Sequence, residues 1–167
     1  RGSTLLLIHA DNWCQCNFSD FLSYHLSDRP SQCSITMMTF DTPMPQNSGI
    51  VKVDEEGVVL EFHEKISNPP GCLANGAVYL IEPDMCEWLS KRPYLRDFST
   101  EVLPNFLGQI ATWHNADIHR DIGVLSSLRL AQDDPKPPSL WKDKDDWQRS
   151  FEKNSIHAAI NNKSQFD

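Results

Sequence analysis

Two aspartates, Asp11 and Asp121, each stand where a short apolar run ends, in TLLLIHAD and IHRD. Open α/β sheets place ligands beyond the carboxyl ends of their strands, so carboxylates at these points are well placed to hold a divalent ion. Mg2+ in phosphoryl-transfer sites takes one or two carboxylates and fills its other positions with phosphate oxygens and water, a demand this pair meets if the fold brings the two together. On spacing alone the simpler account is that each is a strand-end turn or a helix cap. A second group lies between them in sequence: Glu64-Lys65 closes one strand and Asn75-Gly76 opens the next. A carboxylate accepts from hydroxyls, an ammonium offers a point charge to phosphate, and a glycine lets backbone approach a ligand closely. A hydroxylated, phosphorylated molecule would use all three, although a Glu-Lys dipeptide is explained equally well as a solvated strand end.

The elements that must position these residues follow from hydrophobic pattern and chain breakers. Thr4 to Ala10 is an almost continuous apolar run, which suits a strand buried on both faces. Ser19 can cap a short helix over Asn17–Leu26 with Phe18, Leu22, Phe21 and Leu26 as its inward candidates, stopped by Arg29-Pro30. Ser34–Phe40 reads as a second buried strand, and Gly49–Val53 with Val58–Phe62 as a hairpin turning at Asp54–Gly57. Ala77–Ile81 is the next strand, followed by a helix opened by Pro83 and packed through Trp88 and Leu89. Hydroxyls at Ser99 and Thr100 precede a predicted helix at Val102–Leu107 ended by Gly108. Strands at Ile110–Trp113 and Ile118–Arg120 lead into a helix whose Leu125, Leu128 and Leu130 could cover the sheet. The expected organisation is an α/β domain over residues 4–132, then a linker and an amphipathic helix at Asp145–Asn161 within 133–167. That helix could serve a contact between copies in a homo-oligomer or pack on its own domain.

Composition narrows the partners. A formal charge of −8 argues against a nucleic-acid backbone, while leaving room for a local basic pocket that holds a small phosphate. Five scattered cysteines without paired C-x-x-C units point to a reducing compartment, and no apolar run approaches the ~20 residues of a membrane span. The expectation is a cytoplasmic protein with no membrane contact. Cys14-x-Cys16 and the scattered histidines read as incidental or packing residues ahead of a metal cluster, and the five tryptophans are too dispersed for a base-stacking platform.

In order, LLLIHADN, SGIVKVDEEGVVLEFHEK, ANGAVYLIEPDM, DFSTEVLPNFL and HRDIGVLSSLRLAQ resemble the nucleotidyl transferase family, which makes NDP-sugars from NTPs and sugar 1-phosphates. The resemblance spans about residues 4–132. It implies a Rossmann-like mixed, mainly parallel sheet with flanking helices, the nucleotide-diphospho-sugar transferase fold. It also implies Mg2+ on Asp11 and Asp121, with Asn12 beside the first. Gly49 then offers backbone to the sugar, Glu64 binds sugar hydroxyls, Lys65 binds the 1-phosphate, and Asn75-Gly76 form a pocket segment. Asp11, Lys65 and Asp121 would be the catalytic set, acting through placement and electrostatics on an NTP and a sugar 1-phosphate.

This sequence departs from the family in three places. Val124 stands where the family has Thr after Asp-Ile-Gly, and Ile66-Ser67 replace the proline that commonly follows Glu-Lys. The family's opening strand and glycine-rich nucleotide loop are not found, so the expectation is part of a longer protein, with the N-terminal portion of the domain absent and transfer incomplete without it. The HRDIG and ANGAVYLI segments lean towards guanylyl transfer to a mannose- or manno-heptose-type phosphate, with thymidylyl or uridylyl transfer to glucose 1-phosphate as the alternative. A non-catalytic module of the same fold is a third option. A glycosyltransferase is disfavoured because no D-x-D lies near Asp11.

Overall fold

The computed structural model describes residues 2–136 together with Ser150 and Lys153. Apart from those two residues, the helix expected at residues 145–161 lies outside the described residues. The chain divides after Asp134, and the architecture below concerns the unit that ends there.

Strands β1 (Leu5–Ile8), β3 (Ile35–Asp41), β4 (Gly49–Val53), β5 (Val59–Glu64), β6 (Leu73–Ile81) and β7 (Ile110–His114) form one sheet. Its order is β5-β4-β6-β3-β7, and β1 pairs with the carboxyl-terminal half of β6. The expected mixed α/β architecture with flanking helices is present. β1, β3 and β4 each run antiparallel to β6, and β7 runs parallel to β3, so four of the strands point one way. Only β3 and β7 among them are direct neighbours, because β6 is inserted against the common direction. A separate two-stranded ribbon joins β2 (Asn12–Cys14) to β8 (His119–Asp121).

Side chains alternate across a strand, so the two long central strands serve two cores. Ile35 and Met37 of β3, with Tyr79 and Ile81 of β6, face helix α2 (Pro83–Ser90) through Met85 and the turn residues Val102, Leu103 and Phe106. Met38, Val78 and Leu80 face Phe21 of helix α1 (Phe18–Ser23) on the other side. Complete burial of each such aliphatic or aromatic side chain contributes roughly 1.5–3 kcal/mol. A polar tie joins the same layers: buried His25 meets Thr36 Oγ1 at 2.7 Å through Nδ1 and Glu82 Oε1 at 2.8 Å through Nε2. Burial and then the Arg29 charge hold this imidazole's pKa below its usual value.

Several local expectations change. β1 is shorter than Thr4–Ala10 and is half exposed, at 45% for Leu5 and Leu6, since among the described residues it pairs on one side with β6 alone. The cap of α1 is Asn17, whose side chain accepts from Ser19 N and Asp20 N, not Ser19. A π-helical turn at Tyr24–Asp28 extends α1, and the inward ridge becomes Phe21 and His25 while Phe18, Leu22 and Leu26 face outward. Similarly, Asp97 caps a π turn at Phe98–Val102 by accepting from Thr100 N, in place of a hydroxyl cap, and a 3-10 turn at Leu103–Phe106 follows. Helix α3 (Leu125–Asp133) leaves Leu125 at 63% and Leu130 at 55% exposed, so it does not cover the sheet. It leaves the small ribbon, not a central strand, and therefore sits outside the main layers. Among the described residues no helix is long and apolar enough to cross a membrane.

Candidate functional site

The ribbon brings the two aspartates together. Asn12 pairs with Asp121 in register, and Ile122 N donates to the Asp11 carbonyl at 2.9 Å. The carboxylates converge on Gly123: a Cβ placed there would stand 2.9 Å from Asp121 Oδ1 and 3.8 Å from Asp11 Oδ2. Gly123 N also donates to Asp121 Oδ1 at 2.8 Å, which fixes that carboxylate. Both aspartates are exposed. A pair of neighbouring, solvent-facing carboxylates fits Mg2+, which keeps water and phosphate oxygens in most of its shell. No group of three His, Cys, Asp or Glu side chains arranged for a metal occurs among the described residues, so the histidines and the Cys14-Cys16 pair form no such cluster.

The ribbon is held by polar contacts that the sequence did not reveal. Arg120 grips Asp134 through two bonds, Nε to Oδ2 at 2.6 Å and Nη2 to Oδ1 at 2.7 Å, and Trp13 Nε1 donates to the same carboxylate at 3.0 Å. The Arg120 guanidinium holds the Asp134 carboxyl below the usual range. Asn12 Nδ2 donates to the Gly76 carbonyl at 2.8 Å, so its amide is turned to β6. His119 Nε2 meets the same carbonyl at 2.7 Å. A carbonyl only accepts, so Nε2 carries the proton, and the buried Nδ1 has no hydrogen-bond partner among the described residues. Burial lowers the pKa of this ring.

Gly76 lies inside β6, not at its start. Met37 pairs with Tyr79 and Thr39 with Asn75, so the stretch from Gly76 to Val78 bulges opposite Met38, and Ala77 takes φ +51. Bulges re-aim groups out of the ladder and recur beside functional sites. Asn75 secures this one, accepting from Ala77 N at 2.9 Å and donating to Tyr79 Oη at 2.7 Å. Burial and the charges of Glu64 and Asp97 push the Tyr79 phenol up, against hydrogen bonds from Asn75 and Ser99.

Glu64 ends β5 opposite Gly49, and its carboxylate lies over the glycine: a Cβ on Gly49 would be 2.6 Å from Glu64 Oε2 and 2.6 Å from Phe62 Cζ. Gly49 is therefore needed as a seat for Glu64 as well as for any backbone approach. Lys65 follows with φ +49, its Nζ 3.7 Å from Glu64 Oε1 and largely exposed, a weak pair that leaves the ammonium available. Lys65 and Ala77, the two non-glycine residues with positive φ among those described, both belong to the candidate site, and such strain concentrates at functional positions. Asp97, Tyr79 and His119 lie inside the blocks that resemble the family without a role of their own there, and Asp134 lies beyond the last block. For His119, the opening of the HRDIG segment and its period-two placement on the face of Asp121 were the available signals.

The sequence profile of the family described as nucleotidyl transferase matches residues 1–136. A glucose-1-phosphate adenylyltransferase from Thermomicrobium roseum is 25% identical over 144 residues, covering 79% of this chain and 33% of that protein. A protein described as a glucose-1-phosphate thymidylyltransferase from Bacillus anthracis, solved in complex with a sucrose, superposes with a TM-score of 0.62 at 17% identity. That match covers 78% of this chain and 53% of the other, and shows likeness of fold. The chain thus spans about a third of the first relative and about half of the second. With the profile matched over most of its length, the chain belongs to the nucleotidyl transferase family.

Proposed function

We propose that this chain supplies the sugar-phosphate and metal side of a sugar-1-phosphate nucleotidylyltransferase, acting in the cytoplasm on an NTP and a sugar 1-phosphate. The observation that carries this reading is the meeting of Asp11 and Asp121, remote in sequence, around Gly123 on a ribbon tied through Asn12 to the β6 bulge. Asp11 and Asp121 hold Mg2+, which when bound neutralises charge on phosphate oxygens. Lys65, exposed at the end of β5, places the sugar 1-phosphate, whose oxygen is already anionic and needs no general base. Glu64, seated over Gly49, accepts from sugar hydroxyls, and the bulged backbone at Asn75-Gly76 borders the sugar. The chemistry asked of the protein is orientation of two anions in line and relief of their repulsion.

Glucose 1-phosphate is the first sugar to assay, supported by the names of both relatives, with ATP and dTTP as the matching nucleotides. Mannose-type phosphates with GTP come second, favoured by the HRDIG and ANGAVYLI segments. The test is pyrophosphate release by the full-length protein across that panel, with Asp121→Asn as control. Asn retains an acceptor for Gly123 N but loses the charge, so turnover should fall by orders of magnitude at unchanged melting temperature. Near-normal turnover would remove Asp121 from the metal site. No pyrophosphate from any pair would leave the non-catalytic module as the better account.

A further inference from the structure

The Gly76 carbonyl is claimed twice, by Asn12 Nδ2 at 2.8 Å and by His119 Nε2 at 2.7 Å. These donors sit on the two strands of the ribbon: Asn12 directly follows Asp11, and His119 shares a strand face with Asp121. The acceptor sits in the bulge bordering the proposed sugar position. Space is tight: a Cβ at Gly76 would be 3.0 Å from Met38 O and 3.1 Å from His119 Nε2, so these neighbours would have to give way slightly. The imidazole is also oriented from its face, stacked on Phe40 of β3 at 4.2 Å between centroids and 19° between planes.

We propose that His119 is a positioning residue which, with Asn12, clamps the metal-bearing ribbon to the sugar-facing bulge of β6, so that occupancy of either half of the site sets the geometry of the other. The inference rests on the proposed function. Its physical content is a coupling free energy between two sites, and coupling of this kind is reciprocal: metal must tighten sugar phosphate by the factor by which sugar phosphate tightens metal.

Two substitutions separate the functions of the ring. His119→Phe keeps the stack on Phe40 and removes the donor. His119→Gln removes the stack and keeps an N–H able to reach the carbonyl. Calorimetric titration of the chain with glucose 1-phosphate, with and without MnCl2, and with MnCl2, with and without the sugar phosphate, measures the coupling factor directly. The wild-type factor should be about tenfold. His119→Phe should bring it within about twofold of unity while changing sugar-phosphate affinity without metal less than about twofold, and His119→Gln should restore most of it. A His119→Phe chain that keeps the wild-type coupling overturns the proposal. So does equal weakening of both separate affinities with a lowered melting temperature, the signature of a merely structural residue. A wild-type chain that binds neither ligand overturns the functional reading itself, a result distinct from binding of both without coupling, which overturns only the clamp.

Discussion

Replacing Gly49 by Ala isolates the seat of Glu64. The new Cβ would stand 2.6 Å from Glu64 Oε2 and 2.6 Å from Phe62 Cζ, where carbon contacts are comfortable near ~3.5–4 Å, so each neighbour must retreat by about 1 Å. The glycine has no positive φ, so backbone strain adds nothing. Overpacking at a buried position costs about 1–3 kcal/mol, and the stiffer unfolded chain returns about 0.4–1 kcal/mol, which leaves a stability loss of at most about 2.5 kcal/mol. Phe62 packs against the main core, whereas the Glu64 carboxylate ends a flexible side chain, so Glu64 moves further. Hydrogen bonds to a charged group contribute about 1.5–3 kcal/mol, so a displaced carboxylate should weaken sugar 1-phosphate binding by about 10- to 150-fold. Calorimetric titration with glucose 1-phosphate and a thermal melt read the two effects separately. In a Glu64→Ala background the same change should cost little further affinity, because the group it displaces is gone. Binding within twofold of wild type for Gly49→Ala, at an unshifted melting temperature, would refute the steric argument, and wild-type affinity in Glu64→Ala would remove Glu64 as a sugar ligand.

Two more predictions concern the ribbon. Asp134 has a carboxyl pKa depressed by Arg120, so its stabilisation is complete above the unfolded value near ~3.9 and drains as pH falls through the lower folded value. Asp134→Asn should therefore be less stable than wild type to urea at neutral pH, with the gap closing below about pH 4; a gap that widens on acidification would contradict the pair's role. Val124 occupies the cap position of α3 with extended backbone and no side-chain cap bond, so Val124→Thr should add about 0.5–2 kcal/mol of stability, measured by the urea midpoint. An unchanged midpoint would mean that the helix end is satisfied in another way.

The sequence alone determined what short-range physics controls. The Asp54–Gly57 turn, with Gly57 at φ +77 and Asp54 Oδ1 accepting from Glu56 N and Val58 N, follows from residue types that leave the chain few options. The same holds for Pro83 at the first turn of α2 and for the apolar runs of β3 and β7. The chemical types at Asp11, Glu64-Lys65 and Asp121 were legible too, because a carboxylate or an ammonium has few roles at a strand end. Tertiary structure decided which partners those groups face. Whether Asn12 turns its amide to a ligand or to the Gly76 carbonyl depends on a bulge in a strand over sixty residues away, and no local pattern encodes it. Asn17 and Asp97 became caps over nearby hydroxyls because the helical turns begin directly after them, at Phe18 and Phe98, a balance that propensity does not resolve. β1 forms within its apolar run but stays half exposed, because such a run records how much surface can be buried, while its neighbours decide how much is. The convergence of Asp11 and Asp121 belongs to that second class: a turn residue ahead of β2 and the last residue of β8 meet only when Asn12 pairs with Asp121 and Asp134 holds the ribbon closed.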